Sequence, residues 1–284
     1  MKKILTITAM AFTTALMFAQ ENANELKYFR FGLQVTPSMN WYIPDNTNRQ
    51  NSGGVLLKAG GGLVTEFRVN KKISFVTGLQ FDFNGGKIKY VNDPYPGAED
   101  NNGAAIYYYS KPDAAIASYS SVDNSGKFIK YKLNERTYNT TYLTIPLTLK
   151  MKTQEIGMMT YFGQFGLNNS FRLKAKADDN LVHISATDNI TELESLTLTN
   201  LDIAQDMSFY YAALNVGAGA EMNLVGTTSL VFGLNFLYGL SPVVKGSSDF
   251  VRHQTLNQIA LGQQDPFTQK ITSRAVQLTI GILF

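Results

Sequence analysis

The stretch Arg274–Phe284 constrains the fold more than any other part of the chain. Val276, Leu278, Ile280, Ile282 and Phe284 fall on one parity, while Ala275, Gln277, Thr279 and Gly281 fall on the other, with Leu283 the large exception. A period-two strand with one apolar face suits a sheet whose two sides meet different solvents. A strand of this kind ending on an aromatic residue is what an outer-membrane β-barrel presents to the machinery that inserts it, by pairing to an exposed sheet edge. Val276, Leu278, Ile280, Ile282 and Phe284 are therefore the candidate assembly signal.

Other segments alternate in the same way. They begin near Phe29, Val55, Ile73, Tyr142, Met158, Tyr210 and Leu230, and with the last strand they make eight. The segment from Ile73 is the cleanest: Phe75, Leu79, Phe81 and Phe83 oppose Ser74, Gly78, Gln80, Asp82 and Asn84. The connections alternate between short turns and long polar stretches near 37–54, 90–136, 177–207 and 245–270. That asymmetry is expected of a transmembrane barrel with short periplasmic turns and long extracellular loops. The reading is an all-β, eight-stranded antiparallel transmembrane barrel. A soluble ligand-binding barrel would point its apolar face inward. Here the other face carries Arg30, Lys58, Glu66, Arg68, Asp82, Lys150, Arg172 and Glu221, which are expected to form a charge network in the lumen. Trp41, Tyr42, Tyr142, Tyr161 and Tyr238, near strand ends, read as girdle residues at the membrane interface.

Residues 1–19 read as a signal peptide, with Lys2 and Lys3 before an apolar run and cleavage expected near Ala19. Residues 20–28 read as a short periplasmic segment and 29–284 as the barrel, integral to a bacterial outer membrane. The chain has no cysteine, which excludes a lipidated cysteine and any disulfide. Removing two lysines leaves 25 − 2 basic residues against 22 acidic ones, or +1, so no nucleic-acid partner is implied. The two histidines, His183 and His253, fall in expected loops among common turn residues. They define neither a catalytic constellation nor a metal site. The chain is read as non-enzymatic, with no cofactor.

Four phrases carry a family resemblance: Tyr142-Leu-Thr-Ile-Pro-Leu-Thr-Leu-Lys150, Gly217-Ala-Gly-Ala-Glu221, Tyr238-Gly-Leu240 and Thr279-Ile-Gly-Ile-Leu-Phe284. Together they resemble the PorT-like outer-membrane β-barrel family, over nearly the whole mature chain. The resemblance implies a barrel in the outer membrane, and in some members a part in a protein-secretion and gliding apparatus. The expected partners are outer-membrane lipid, the barrel-assembly machinery, and other envelope or secretion proteins. The loops 90–136 and 177–207 are the expected contact regions, with Tyr107, Tyr108 and Tyr109 as anchors. The alternatives are a surface ligand-binding or adhesion barrel and a lipid or peptide hydrolase at the rim.

Overall fold

A computed structural model describes residues 28–47, 50–90, 106–109, 130–184, 192–224, 228–254 and 265–284. The signal-peptide reading and the segment up to residue 27 lie outside them. The described strands are β1 (Phe29–Pro44), β2 (Gln50–Gly54), β3 (Leu56–Arg68), β4 (Ile73–Tyr90), β5 (Ile106–Tyr109), β6 (Lys130–Lys152), β7 (Met159–Ile184), β8 (Glu192–Asp202), β9 (Tyr210–Asn223), β10 (Ser229–Gly239), β11 (Val244–Gln254) and β12 (Asp265–Leu283). Eight of them close a ring in the order β1-β3-β4-β6-β7-β9-β10-β12, with β12 returning to β1. Every pairing is antiparallel and the ring closes on itself, so the wall has no open strand edge, as a bilayer requires.

The outer face of the ring is apolar. Leu33, Val35, Leu63, Phe81, Phe165, Leu234 and Leu278 all stand exposed on it, while Thr36, Glu66, Gln80, Asn168, Asn235 and Gln277 are buried inside. A water-soluble sheet would invert this arrangement. The terminal strand follows the rule: Leu278, Ile280 and Phe284 are exposed to the outside and Leu283 is buried within.

The ring strands run well past this band, into the stretches expected as loops. β1 continues to Pro44, β6 starts at Lys130, β7 reaches Ile184 and β12 starts at Asp265. There β2 pairs β4, β8 pairs β7, and β11 joins β12 to β5. Beyond the bilayer the solvent on the outside is water, and the polarity of the wall reverses. Tyr42, Ile88, Leu133, Tyr138, Ala177, Leu181, Ile203, Val243 and Ile271 point inward and form one buried apolar core. Each leucine, isoleucine or valine among them contributes about 1.5–3 kcal/mol on removal from water. Tyr42 and Tyr142 thus leave the interfacial girdle expected for them. They share parity with lumen residues, are 0% exposed, and pack against Tyr138 and Tyr211 respectively. Tyr161 and Tyr238 stay outside, and Trp41 packs beside Phe236.

Two register shifts lie between β6 and β7. Tyr142 pairs Arg172 whereas Thr141 pairs Lys174, so Leu173 is an extra residue on β7. Beyond this bulge Ala175, Ala177 and Asp179 are the inward residues. A bulge moves every following side chain to the opposite face. Lys174, which the alternation from Met158 places in the lumen, is therefore on the outside.

Candidate functional site, the lumen and the external rim

The periplasmic end of the lumen holds an ion-pair cluster built from four strands. The Arg30 guanidinium lies 2.8 Å from both Glu66 Oε2 and Glu221 Oε2. Lys150 Nζ pairs with Glu221 Oε1 and stands 3.6 Å from Glu66 Oε2. Lys152 Nζ reaches Glu66 Oε1 at 2.5 Å and Glu221 Oε1 at 2.9 Å. Arg68 Nε is at the margin, 4.0 Å from Glu66. Every carboxylate oxygen meets a cation, which is how charges are tolerated away from water. Lys150 also stands over the Phe162 ring, 4.0 Å from its centroid. Phe162 projects into the lumen because the facing strands lack side chains there: a Cβ on Gly219 would sit 2.6 Å from its ring.

Of the eight charges expected to form a lumen network, the structure gathers Arg30, Glu66, Lys150 and Glu221, with Arg68 beside them. Asp82 and Arg172 face the lumen higher up, on either side of Tyr142, with Asp82 Oδ1 and Arg172 Nε unpartnered among the described residues. Lys58 is elsewhere. β3 parts from β4 after the Gly60–Asp82 pair, and Lys58 Nζ donates to Asn139 Oδ1 at 2.7 Å. Lys152, at the end of β6, also belongs to the cluster. It shares parity with Lys150, and that parity was the available signal.

Against the cluster, with Glu66 and Lys150 in its wall, is a cavity of about 50 Å³ that Gln80, Asn235 and Gln277 line together with Val64, Phe162 and Leu283. A single water needs roughly 10–15 Å³, so this space suits a few waters. The apolar core then fills the external end of the lumen.

Within that core is a second clamp, beyond the bilayer. Arg136 Nε and Nη2 donate to the two carboxylate oxygens of Asp179, both at 2.7 Å, and Nη1 lies 3.6 Å from Asp206 Oδ2. Burial opposes the Arg136 charge, and the Asp179 carboxylate outweighs that, raising the guanidinium pKa. Burial also holds the phenols of Tyr90 and Tyr138 above their usual value, so both remain neutral.

Tyr107, Tyr108 and Tyr109 lie in β5, where the backbones of Tyr107 and Tyr108 pair His253 and Arg252 of β11 and Tyr108 also pairs Lys132 of β6. They are placed in a strand and not at a loop tip. His183 pairs Tyr131 on β6, so the two histidines belong to strands separated by β6 and β5. Among the described residues no three His, Cys, Asp or Glu side chains gather as a metal site.

Comparison with curated proteins gives no match in sequence. Among solved structures, the chain is similar to Neisserial surface protein A, with 9% identity, 90% of this chain and 95% of that chain covered, and a TM-score of 0.37. It is similar to the outer membrane protein OprG from Pseudomonas aeruginosa, with 12% identity, coverage of 90% and 95%, and a TM-score of 0.39. It is also similar to the outer membrane protease OmpT from Escherichia coli, with 9% identity, coverage of 93% and 99%, and a TM-score of 0.32. A family model described as an outer membrane protein beta-barrel domain matches residues 18–245. With a closed antiparallel ring, an apolar outer band and a charged lumen, the chain belongs to this family of outer-membrane β-barrels.

Proposed function

We propose that the protein is a non-enzymatic interaction subunit of an envelope or secretion complex, of the PorT-like kind, docking its partner through the part of the barrel that stands outside the membrane. One observation carries this reading. The ring strands continue beyond the apolar band and enclose a packed apolar core clamped by Arg136 and Asp179. A barrel serving diffusion keeps a polar path along its axis. Here the same length of wall supports a stiff closed platform, and β8 and the β5–β11 pair add further strands to it. A preorganised surface limits the ordering cost of binding a partner.

The test is a mild-detergent pulldown of the tagged protein from native outer membranes. A stoichiometric set of envelope proteins is expected, and replacing 91–129 by a short Gly-Ser connection is expected to lose that set while the barrel still inserts. The segment 177–207 is unsuitable for deletion, since Ala177, Leu181, Leu201 and Ile203 belong to the core. A barrel recovered alone, or an unchanged set after the replacement, would overturn the reading. Recovery alone would turn attention to surface ligand binding or rim chemistry.

Insertion depends on the terminal strand in this reading. The Phe284 ring is 5.8 Å from that of Phe31 and its residue is 39% exposed, so its contribution to the finished barrel is small. Phe284→Ala is nevertheless expected to lower the outer-membrane level severalfold, because it damages a strand that the assembly machinery pairs with. Immunoblots of membrane fractions check this, and wild-type levels would remove the terminus from its assigned role.

A further inference from the structure

The bulge at Leu173 places lysines where the lipid headgroups begin. Past it, Lys174 and Lys176 stand on the outer wall, alternating with the inward-facing Ala175 and Ala177. The register aligns Phe83, Thr141 and Lys174 in one row across β4, β6 and β7, and Gly85, Asn139 and Lys176 in the next. Phe83 and Leu173 are the last large apolar residues of the outer band on their strands, 52% and 55% exposed. Gly85 has no side chain, and Lys58 of β3 reaches Asn139 Oδ1 at this level.

The backbone of Lys176 pairs that of Asp202 across β7 and β8, and Asp202 Oδ1 accepts from the Ala204 amide at 3.0 Å. Glu135 is taken by Lys87 at 3.4 Å. Asp178 accepts from Asn139 Nδ2 and from the Asn200 amide, each at 2.9 Å. Lys176 donates to the Asn200 carbonyl at 3.1 Å. Among the described residues Lys58, Lys174 and Lys176 therefore have no carboxylate partner within ion-pair distance. Three ammonium groups without a carboxylate partner, Lys174 in the row of exposed Phe83 and next to Leu173, Lys58 and Lys176 at the row above, match an amphiphile with an anionic head and acyl tails. Lysine recognises phosphate as a point charge, and cations at this depth attract anionic headgroups.

We propose that Lys58, Lys174 and Lys176 bind the phosphate of an outer-leaflet lipid, whose acyl chains run down over Leu173 and Phe83. This site depends on the orientation of the barrel in the bilayer and is independent of any docked protein. Native mass spectrometry of the whole barrel in mild detergent tests it. The probes are a bis-phosphorylated disaccharide lipid, its dephosphorylated twin, and inorganic phosphate as competitor. The phosphorylated lipid is expected to bind roughly tenfold tighter than its twin. The K58Q/K174Q/K176Q variant is expected to lose that preference while keeping its heat-modifiable mobility. Equal binding of the two lipids by the wild type, or an unchanged preference in the variant, overturns the site. Displacement of the lipid by millimolar inorganic phosphate would overturn the lipid as its ligand. If the triple variant fails to insert, K174Q, which changes an exposed residue, is expected to reduce the preference by itself, and no reduction counts against the site.

Discussion

Glu221→Gln is expected to cost the barrel about 3–5 kcal/mol, the penalty typical of removing one partner from a buried charge cluster. Glu221 accepts from Arg30, Lys150 and Lys152, and all four side chains are almost wholly buried. The amide keeps the shape and loses the charge, leaving Arg30, Lys150 and Lys152 with Glu66 as their shared carboxylate. The cavity against the cluster, about 50 Å³, is too small to hydrate two displaced ammonium groups as bulk water would. Pairing Glu221→Gln with Lys150→Met is expected to recover part of the loss, since deleting both members of a buried pair is far milder than deleting one. Trp41 is the chain's single tryptophan and packs on Phe236, so its fluorescence reports denaturant unfolding from lipid vesicles. A loss under about 1 kcal/mol is the signature of solvated surface pairs, and it would mean that water reaches this end of the lumen freely.

The physical rules that exposed the barrel in the sequence also explain where reading it failed. Inside the bilayer the inner and outer faces meet different surroundings, so Phe75, Phe81 and Phe83 opposite Gln80, Asp82 and Asn84 leave a clear period of two. Arg30, Glu66, Lys150 and Glu221 inherit their lumen positions from that period alone. Above the bilayer both faces change partners: Ile88, Leu133 and Leu181 turn inward while the outside becomes polar, and the stretches resemble loops when read for membrane strands. One extra residue at Leu173 leaves no mark in composition, yet it decides that Lys174 stands on the outer wall and not in the lumen. Asp82, Arg172 and Lys58 were legible as polar-face residues. Their separation from the cluster depends on strand register and on the parting of β3 from β4, which one chain's sequence does not encode locally.

The external clamp gives the second large effect. Arg136→Met is expected to destabilise the extracellular part of the barrel by about 3–5 kcal/mol while leaving the membrane band formed. Methionine fills much the same space, so the loss isolates the charge: Asp179, 0% exposed, would keep a buried carboxylate without its bidentate partner. Asp206, 3.6 Å from the guanidinium, would lose the same neighbour. Replacing the set together, as Arg136→Met with Asp179→Leu and Asp206→Leu, is expected to restore most of the stability because no uncompensated charge remains. Protease digestion from the outside of intact cells, read beside heat-modifiable mobility, separates the two regions. The single variant should be clipped within the external extension and still migrate as a folded barrel. Wild-type resistance in that variant would show that the apolar core alone holds the platform, and that Arg136 contributes nothing to the surface on which a partner would dock.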